Sequence, residues 1–395
     1  MSAPAYDLAV IGAGPAGAAA ALRARQLDPA ARVLLLDRAD FPRDKPCGDG
    51  VSAHSITELR ELGAESVLDG YEPVTSLHVR SPYGVEVAAP LPDACTVVPR
   101  RVLDARLVEL AVARGVELRR HRMRTLDRCA DRVVLDGEIE ARVVVGADGA
   151  NSVVRRALGV APNPPEHVAI AVRGYLDLPA AGMADELVIV LEEPGTLAYA
   201  WAFPLPGGGA NVGYGRSVAE ARADGGGGTD DLVARMRKLL PFVDGVEDLR
   251  AHRLPLASAP VRQPDGRVLL AGDALSYVNP ITGEGIHHAL RSGRLAAESA
   301  LAAPGDGAAD PGAAYRLALH RAFGRHLRQT AVMSKLCRQP GFIDAVLDLA
   351  GRRRDVWQSI CDTGLGSGTI PRALIVRQLA AYAGWRLRRP AAARG

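Results

Sequence analysis

The first forty residues alternate between apolar and polar segments in a pattern typical of a β-α-β unit. The apolar run 6–11 predicts a short buried strand, and the alanine-rich stretch up to about Gln26 predicts a helix. A second apolar run, 32–36, predicts another strand, which ends at Asp37. The chain is therefore expected to begin with an α/β layer.

Shorter apolar runs follow, separated by turn-forming residues. Segment 75–98 predicts short strands with turns at Ser81–Gly84 and Pro90–Pro92, and 101–114 predicts a helix with apolar residues on one side. Further strands are predicted over 168–176, 187–191, 197–203, 210–215 and 267–271. From about residue 310 to the end, the pattern is helical and rich in arginine.

Composition narrows the class of protein. The 395 residues are 48% hydrophobic and 24% charged, as in folded globular proteins, and the net charge of +3 gives no reason to expect a nucleic-acid partner. The five cysteines form no CxxC pair, so no metal site is expected. No run reaches about 18 apolar residues and no secretory signal is recognised, so a cytoplasmic location is expected.

A glycine motif joins the first strand to the first helix. Gly12, Gly14 and Gly17 form G-x-G-x-x-G, in which the glycines allow a tight turn, close approach of a pyrophosphate, and packing of helix on strand. The helix start offers free N–H groups to phosphates. Asp37 follows Gly17 by 20 residues, where it would meet a ribose hydroxyl. This pattern predicts a dinucleotide site rather than a simple packing turn.

Two later motifs indicate which dinucleotide. Residues 146–155 read GADGANSVVR, and Gly-Asp at 272–273 follows a strand, where Asp273 could accept a hydrogen bond from a ribityl hydroxyl. The glycine-rich GEGI, 283–286, could present backbone N–H groups to a flavin carbonyl. Together with the glycine loop, these motifs resemble the FAD-binding pattern of the para-hydroxybenzoate hydroxylase fold.

The resemblance implies bound FAD. It also implies an arginine contact at the start of the second predicted helix, where the alternative for Arg100 is a solvated surface position. The implied cofactor-binding residues are Gly12, Gly14, Pro15, Ala16, Gly17, Asp37, Arg38, Cys47, Gly48, Arg100, Arg124, Asp148, Asp273, Pro280, Gly283, Gly285 and Ile286.

The predicted fold class is α/β plus β, with three regions. Segments 1–70, 97–160 and 255–305 would form one discontinuous Rossmann-like FAD-binding domain. Segments 71–96 and 161–254 would form a mainly β substrate-binding domain, and 306–395 a helical C-terminal region.

Two local motifs resemble those of the geranylgeranyl reductases. One is the loop PRDKPCGDG, 42–50, and the other is YAWAFP, 199–204, followed by Gly213-Tyr214-Gly215. Tyr199, Trp201 and Phe203 alternate with small residues, so they face one side of a strand. They would line a lipid pocket by this resemblance, although aromatic stripes are commonly core residues.

Cys47, Tyr199 and Trp201 are the candidate catalytic residues. Arg43 and Lys45 could favour a thiolate at Cys47; the alternative is a small residue that lets the flavin ring pack closely. The resemblance implies a reductase that hydrogenates isolated C=C bonds of a prenyl chain by hydride transfer from flavin N5. The alternative enzyme is an FAD-dependent monooxygenase acting on an aromatic or polyketide substrate, and the non-enzymatic alternative is a flavin-binding electron carrier.

The expected partners are a hydrophobic prenyl substrate and an external electron donor, which could be NAD(P)H, a ferredoxin or a reductase. Segment 370–389 combines apolar residues with arginines, so peripheral contact with the inner membrane surface is a hypothesis. The arginines do not segregate to one face by sequence spacing, so an ordinary C-terminal helix is the alternative.

Overall fold

In the computed structural model, which describes residues 5–177, 186–302 and 310–388, the apolar runs become strands of two β-sheets. The strands of these residues are β1 (Tyr6–Ile11), β2 (Val33–Asp37), β3 (Gly50–Val51), β4 (Pro73–Arg80), β5 (Glu86–Val97), β6 (Glu117–Arg120), β7 (Leu126–Arg128), β8 (Val133–Leu135), β9 (Ile139–Gly146), β10 (Val168–Asp177), β11 (Glu186–Leu191), β12 (Tyr199–Pro204), β13 (Gly209–Ser217), β14 (Glu247–Pro255) and β15 (Val268–Leu270). The α-helices are α1 (Pro15–Leu27), α2 (Ala53–Glu61), α3 (Arg100–Ala113), α4 (Val153–Ala157), α5 (Val218–Ala223), α6 (Thr229–Leu239), α7 (Ile286–Leu301), α8 (Pro311–Cys337), α9 (Phe342–Arg352), α10 (Arg354–Gly364) and α11 (Arg372–Arg388). The predicted α/β plus β fold class is confirmed.

The first sheet joins strands from distant parts of the sequence. Its parallel part has the order β6-β2-β1-β9, and β15 pairs with the end of β9. Helices α1 and α7 pack against each other so closely that a Cβ on Gly293 would overlap the backbone of Ala16. The carboxyl ends of β1, β2, β9 and β15 therefore meet at one edge, where ligands bind in open α/β sheets.

The second sheet has the order β14-β10-β13-β12-β11-β4-β5-β3. The turn predicted at Pro90–Pro92 is wrong, because β5 continues through these residues. Its register against β4 shifts between Val74 and Ser76: Pro90 pairs with Ser76, and Pro92 lies in the bulge that follows, where a missing N–H is tolerated. Strand β3, which lies in the predicted 1–70 segment, belongs to this sheet. The domain boundaries stay a prediction.

The C-terminal region is helical from α8 to α11 over the described residues; 306–309 and 389–395 of the predicted region lie outside them. Phe342, Trp357 and Leu374 from these helices share an apolar core with Leu77 and Leu187 of the second sheet. The helices therefore cover one face of that sheet. Of the helices in the described ranges, none is both long and apolar enough to cross a membrane.

Candidate functional site

The glycine loop forms an open turn at the carboxyl end of β1. Gly12 has φ +96°, and a Cβ there would overlap Ala147; a Cβ on Gly17 would overlap the carbonyl oxygen of Gly12. The nearest atoms to a Cβ on Gly14, in contrast, lie 3.7 Å away. Among the described residues, no side chain caps the start of α1 at Pro15. Two glycines are thus required by the turn itself, whereas Gly14 leaves space beside an uncapped, positive helix end.

A charged cluster surrounds this turn. Asp37 accepts hydrogen bonds from the backbone N–H of Ala13 (2.9 Å) and from Arg43 (3.3 Å), whose other terminal nitrogen lies 3.2 Å from Asp104. Arg100 donates two hydrogen bonds to Asp104, at 2.6 and 2.7 Å. Burial disfavours the charge on Arg100, but Asp104 outweighs it and raises the pKa of Arg100. Arg100 is therefore a buried cation at the glycine loop, and the alternative of a solvated surface position is wrong.

A cavity of about 230 Å³ lies between the two sheets. Its lining includes nine predicted cofactor-binding residues, namely Pro15, Cys47, Gly48, Arg100, Asp273, Pro280, Gly283, Gly285 and Ile286. The lining also includes side chains of the second sheet and its loops, among them Leu187, Ile189, Leu197, Tyr199, Trp201 and Phe203. The structure thus brings together at one cavity most of the predicted cofactor-binding residues and all three candidate catalytic residues.

Strand β12 supplies the aromatic wall of this cavity. Tyr199, Trp201 and Phe203 all line it, and the Tyr199 hydroxyl donates a hydrogen bond to the backbone of the 279–286 loop at Thr282. The indole of Trp201 fills the space where a side chain at Gly213 would lie. A Cβ on Gly48 would lie 3.3 Å from the Phe203 ring, so the loop 42–50, which contains Cys47, packs directly on this aromatic wall.

Cys47 lies where this loop meets the cavity, and the structure corrects its expected ionisation. Burial raises the pKa of the Cys47 thiol, and the lowering effects of Arg100 and Lys45 do not overcome it. The prediction that nearby cations favour a thiolate is therefore wrong. The thiol keeps its proton at neutral pH.

A hydrogen-bond network that no sequence motif indicates holds this loop in place. Asp49 accepts hydrogen bonds from Tyr175 (2.7 Å) and Asn211 (2.7 Å), and Asn211 also donates to the backbone oxygen of Cys47 (2.8 Å). The indole N–H of Trp201 donates to Asn211 Oδ1 (2.8 Å). We call Asp49, Tyr175 and Asn211 the loop clamp, because they tie the Cys47 loop to β10, β12 and β13.

The loop clamp carries a perturbed carboxyl group. Burial raises the pKa of Asp49 from 3.8 to about 6, although Tyr175, Asn211 and Arg173 each work to lower it. Asp49 also adopts φ +61°, which is uncommon outside glycine. A strained, buried carboxyl group held by three neighbours is typical of a functional site.

Asp273 and Lys45 form an ion pair at the cavity edge. The Lys45 ammonium lies 2.9 Å from Asp273 Oδ2. Burial works to raise the pKa of Asp273, but Lys45 outweighs it and holds this pKa below its usual value. His252 lies on the same side, and burial lowers its pKa to about 4. Asp273 is thus an ionised acceptor, as a hydroxyl-binding residue requires.

Most residues of the glycine loop, and Asp37, do not line the cavity. Three other predicted cofactor residues do not line it either. Arg38 and Arg124 have exposed side chains, and the backbone N–H of Arg124 donates to Asp136 (2.9 Å). Asp148 turns back into its own loop, where it accepts hydrogen bonds from Ser152 (2.5 Å) and the backbone of Val153 (2.6 Å). Asp148 therefore binds backbone N–H groups at the start of α4, whose N-cap is Ser152, and the cofactor roles of all three residues stay predictions.

Comparison with known proteins identifies the family. The profile of a family described as "FAD binding domain" matches residues 5–191. A menaquinone reductase of Mycolicibacterium smegmatis is 34% identical over 325 residues, which cover 74% of this chain and 75% of that protein. A digeranylgeranylglycerophospholipid reductase of Methanopyrus kandleri is 33% identical over 75% of this chain and 76% of its own. The chain belongs to the geranylgeranyl reductase family of flavoproteins. The predicted family is thus confirmed, and the protein is an FAD-dependent oxidoreductase.

Solved structures agree with this family at the level of the fold. A geranylgeranyl bacteriochlorophyll reductase-like protein from Thermoplasma acidophilum superposes with a TM-score of 0.75 at 19% identity, covering 95% of this chain and 96% of its own. A flavin-dependent halogenase and an anhydrotetracycline hydroxylase share the fold at 21% and 22% identity. The fold alone therefore does not distinguish reduction from oxygenation.

The residues of this family member fit FAD. The space beside Gly14 and the uncapped α1 match a pyrophosphate, with Arg100 as the neighbouring cation. Asp37 lies at the end of β2, where a ribose would be met, and Asp273 and the Gly283–Ile286 backbone face the cavity.

Proposed function

We propose that this family member reduces isolated C=C bonds in the prenyl chain of a lipid, quinone or terpenoid. One observation carries the proposal: a single cavity is lined both by predicted FAD-binding residues and by the aromatic and aliphatic side chains of an apolar wall. Burial of each CH₂ group of a prenyl chain contributes about 0.8 kcal/mol, so such a wall binds isoprenoid chains without polar contacts. The reductases of prenyl compounds among its relatives support the same substrate class.

FAD would be held by the glycine loop, Arg100, Asp273 and the Gly283–Ile286 backbone, and in its reduced form it supplies a hydride. Tyr199 fixes the 279–286 loop through its hydrogen bond to Thr282, which positions that loop against the wall. Trp201, whose N–H is satisfied by Asn211, presents an apolar ring face to the chain.

Cys47 is the proposed proton donor. Its thiol lines the cavity and remains protonated, because burial raises its pKa. Reduction of one double bond adds a hydride to one carbon and a proton to the other, so the proton would leave Cys47 Sγ, and solvent would restore it. An unactivated alkene is a poor hydride acceptor, which is why a close acid in a dry cavity is needed.

The test is anaerobic reduction of the purified holoprotein in the presence of geranylgeranyl lipids and prenylated quinones. We expect reoxidation of the flavin spectrum and a product heavier by two hydrogens per reduced bond. Cys47→Ala should lose this reaction and retain FAD, whereas Cys95→Ala, a matched change at a second cysteine of the same cavity, should retain both. A flavin that stays reduced until air is admitted, followed by oxygen incorporation into a substrate, would instead identify a monooxygenase.

A further inference from the structure

Helix α11 has two apolar faces, and among the residues that the structure describes only the inner one is packed. Leu374 on its inner face is buried in the core shared by the C-terminal helices and the second sheet. On its outer face Val376, Leu379 and Leu387 are 65%, 42% and 81% exposed. At about 100° per residue these three positions fall within one sector of about 80°, so they form a continuous exposed stripe.

The charged side chains of α11 itself are all positive. After Asp362 the sequence contains no aspartate or glutamate, and its arginines are Arg372, Arg377, Arg386, Arg388, Arg389 and Arg394. These six charges exceed the net charge of +3 of the whole chain, so the other residues carry a net charge of −3. By helix geometry Arg386 lies on one side of the stripe and Arg377 and Arg388 on the other, and Arg377 also pairs with the exposed Asp355 of α10 (3.0 Å). Arginines thus flank the exposed stripe on both sides.

The inner face of α11 shares an apolar core with residues that line the cavity. Leu374 shares its apolar core with Leu187, and Ile189 and Phe203 pack against that core. Leu187, Ile189 and Phe203 all line the cavity. Helix α11 therefore belongs to the same apolar core as part of the wall that would hold a prenyl chain.

We propose that the outer face of α11, defined by Val376, Leu379 and Leu387, docks on an anionic lipid bilayer. Aliphatic side chains would enter the boundary between headgroups and acyl chains, and the flanking arginines would contact lipid phosphates. A second copy of this chain fits the face less well, because its own arginines would be brought together across the interface. The purpose of the docking, access to a membrane-held prenyl substrate, rests on the proposed function; the docking itself does not.

The test is sedimentation of the holoprotein with vesicles of phosphatidylglycerol and phosphatidylcholine, or of phosphatidylcholine alone. We expect binding to the anionic vesicles that weakens with salt. Val376→Glu combined with Leu387→Glu should lower the partition constant at least about tenfold, and Arg386→Gln combined with Arg388→Gln roughly tenfold to thirtyfold. The matched control is Val112→Glu combined with Leu317→Glu, at residues that are 45% and 50% exposed on other helices, and it should bind as the unchanged protein does.

Several results would overturn the docking proposal. They are absence of binding to anionic vesicles at low salt, equal loss in the control pair, or loss only in the arginine pair. A change from dimer to monomer in the glutamate variants, seen by light scattering without vesicles, would identify the face as a subunit interface instead. Activity on detergent-dispersed substrate separates the two proposals, because the glutamate variants should keep it. Vesicle binding without any prenyl reduction would refute the proposed function alone.

Discussion

Replacing Asp49 by asparagine should change the way in which stability depends on pH. Asp49 is buried in the loop clamp, and its pKa is raised from 3.8 to about 6, mainly by burial. A carboxyl group with a higher pKa in the fold than in the unfolded chain binds its proton more tightly in the fold. Protonation of Asp49 therefore stabilises the protein as the pH falls through about 6, and this contribution is lost as the pH rises above it.

The size of the effect follows from the two pKa values of Asp49. The gap between 3.8 and about 6 corresponds to about 3 kcal/mol of unfolding free energy over the full titration. As the pH falls from about 7.5 to about 5, protonation of Asp49 adds about 1.4 kcal/mol of this to the unfolding free energy. An asparagine side chain at this position cannot titrate, and it offers one acceptor oxygen where the carboxyl group offers two. Asp49→Asn should therefore be destabilising. The difference in unfolding free energy between the unchanged protein and Asp49→Asn should grow by about 1.4 kcal/mol as the pH falls over this range.

The assay is urea unfolding of both holoproteins across this pH range, followed by tryptophan and flavin fluorescence. Tyr175→Phe is the companion variant: it removes a hydrogen bond that lowers the pKa of Asp49, so the gain in stability should begin at a higher pH. A difference between the unchanged protein and Asp49→Asn that stays constant with pH would refute the assignment of this titration. If Asp49→Asn does not fold, the pH at which the stability of Tyr175→Phe begins to rise still tests whether Asp49 is the titrating group.

Three further changes test the site. Gly17→Ala should abolish FAD binding in purified protein, because the added Cβ would overlap backbone atoms. Gly14→Ala should fold normally and bind FAD more weakly. Thermal unfolding without FAD distinguishes the two variants. Arg100→Met should lower the unfolding free energy by about 3–5 kcal/mol, since it removes the buried partner of Asp104, and urea unfolding would show an unchanged value if the pair were unimportant. Tyr199→Phe should weaken FAD binding, since the cavity loop loses its anchor, and an unchanged affinity in fluorescence titration would count against that role.

Features set by neighbouring residues were predictable from the sequence. The glycine loop, β1, α1 and β2 depend on spacing within about 35 residues, and the pattern identified all of them. The prolines at 90–92 misled because proline marks turns and bulges alike; only pairing with β4 shows that β5 continues.

The loop clamp could not be predicted in the same way. Asp49 and Asn211 are 162 positions apart, and neither stands in a motif that suggests the other. The ionisation of Cys47 was mispredicted for a related reason, because nearby cations are visible in the sequence and burial is not. The outer stripe of α11 required the observed exposure of each side chain, since both of its faces are apolar.

The order of strands in the first sheet has a consequence for how the chain matures during synthesis. Strand β1 needs β9 beside it, β9 needs β15, and the loop that completes the cofactor site ends only at Ile286. At roughly 5–20 residues per second, the ribosome adds Ile286 about 14 to 55 s after Gly12. Until then the first sheet has an unpaired apolar edge beside the glycine turn, and such an edge promotes chaperone binding or aggregation. Chains cut short before β15 would therefore lack both a complete first sheet and the loop that completes the predicted cofactor site.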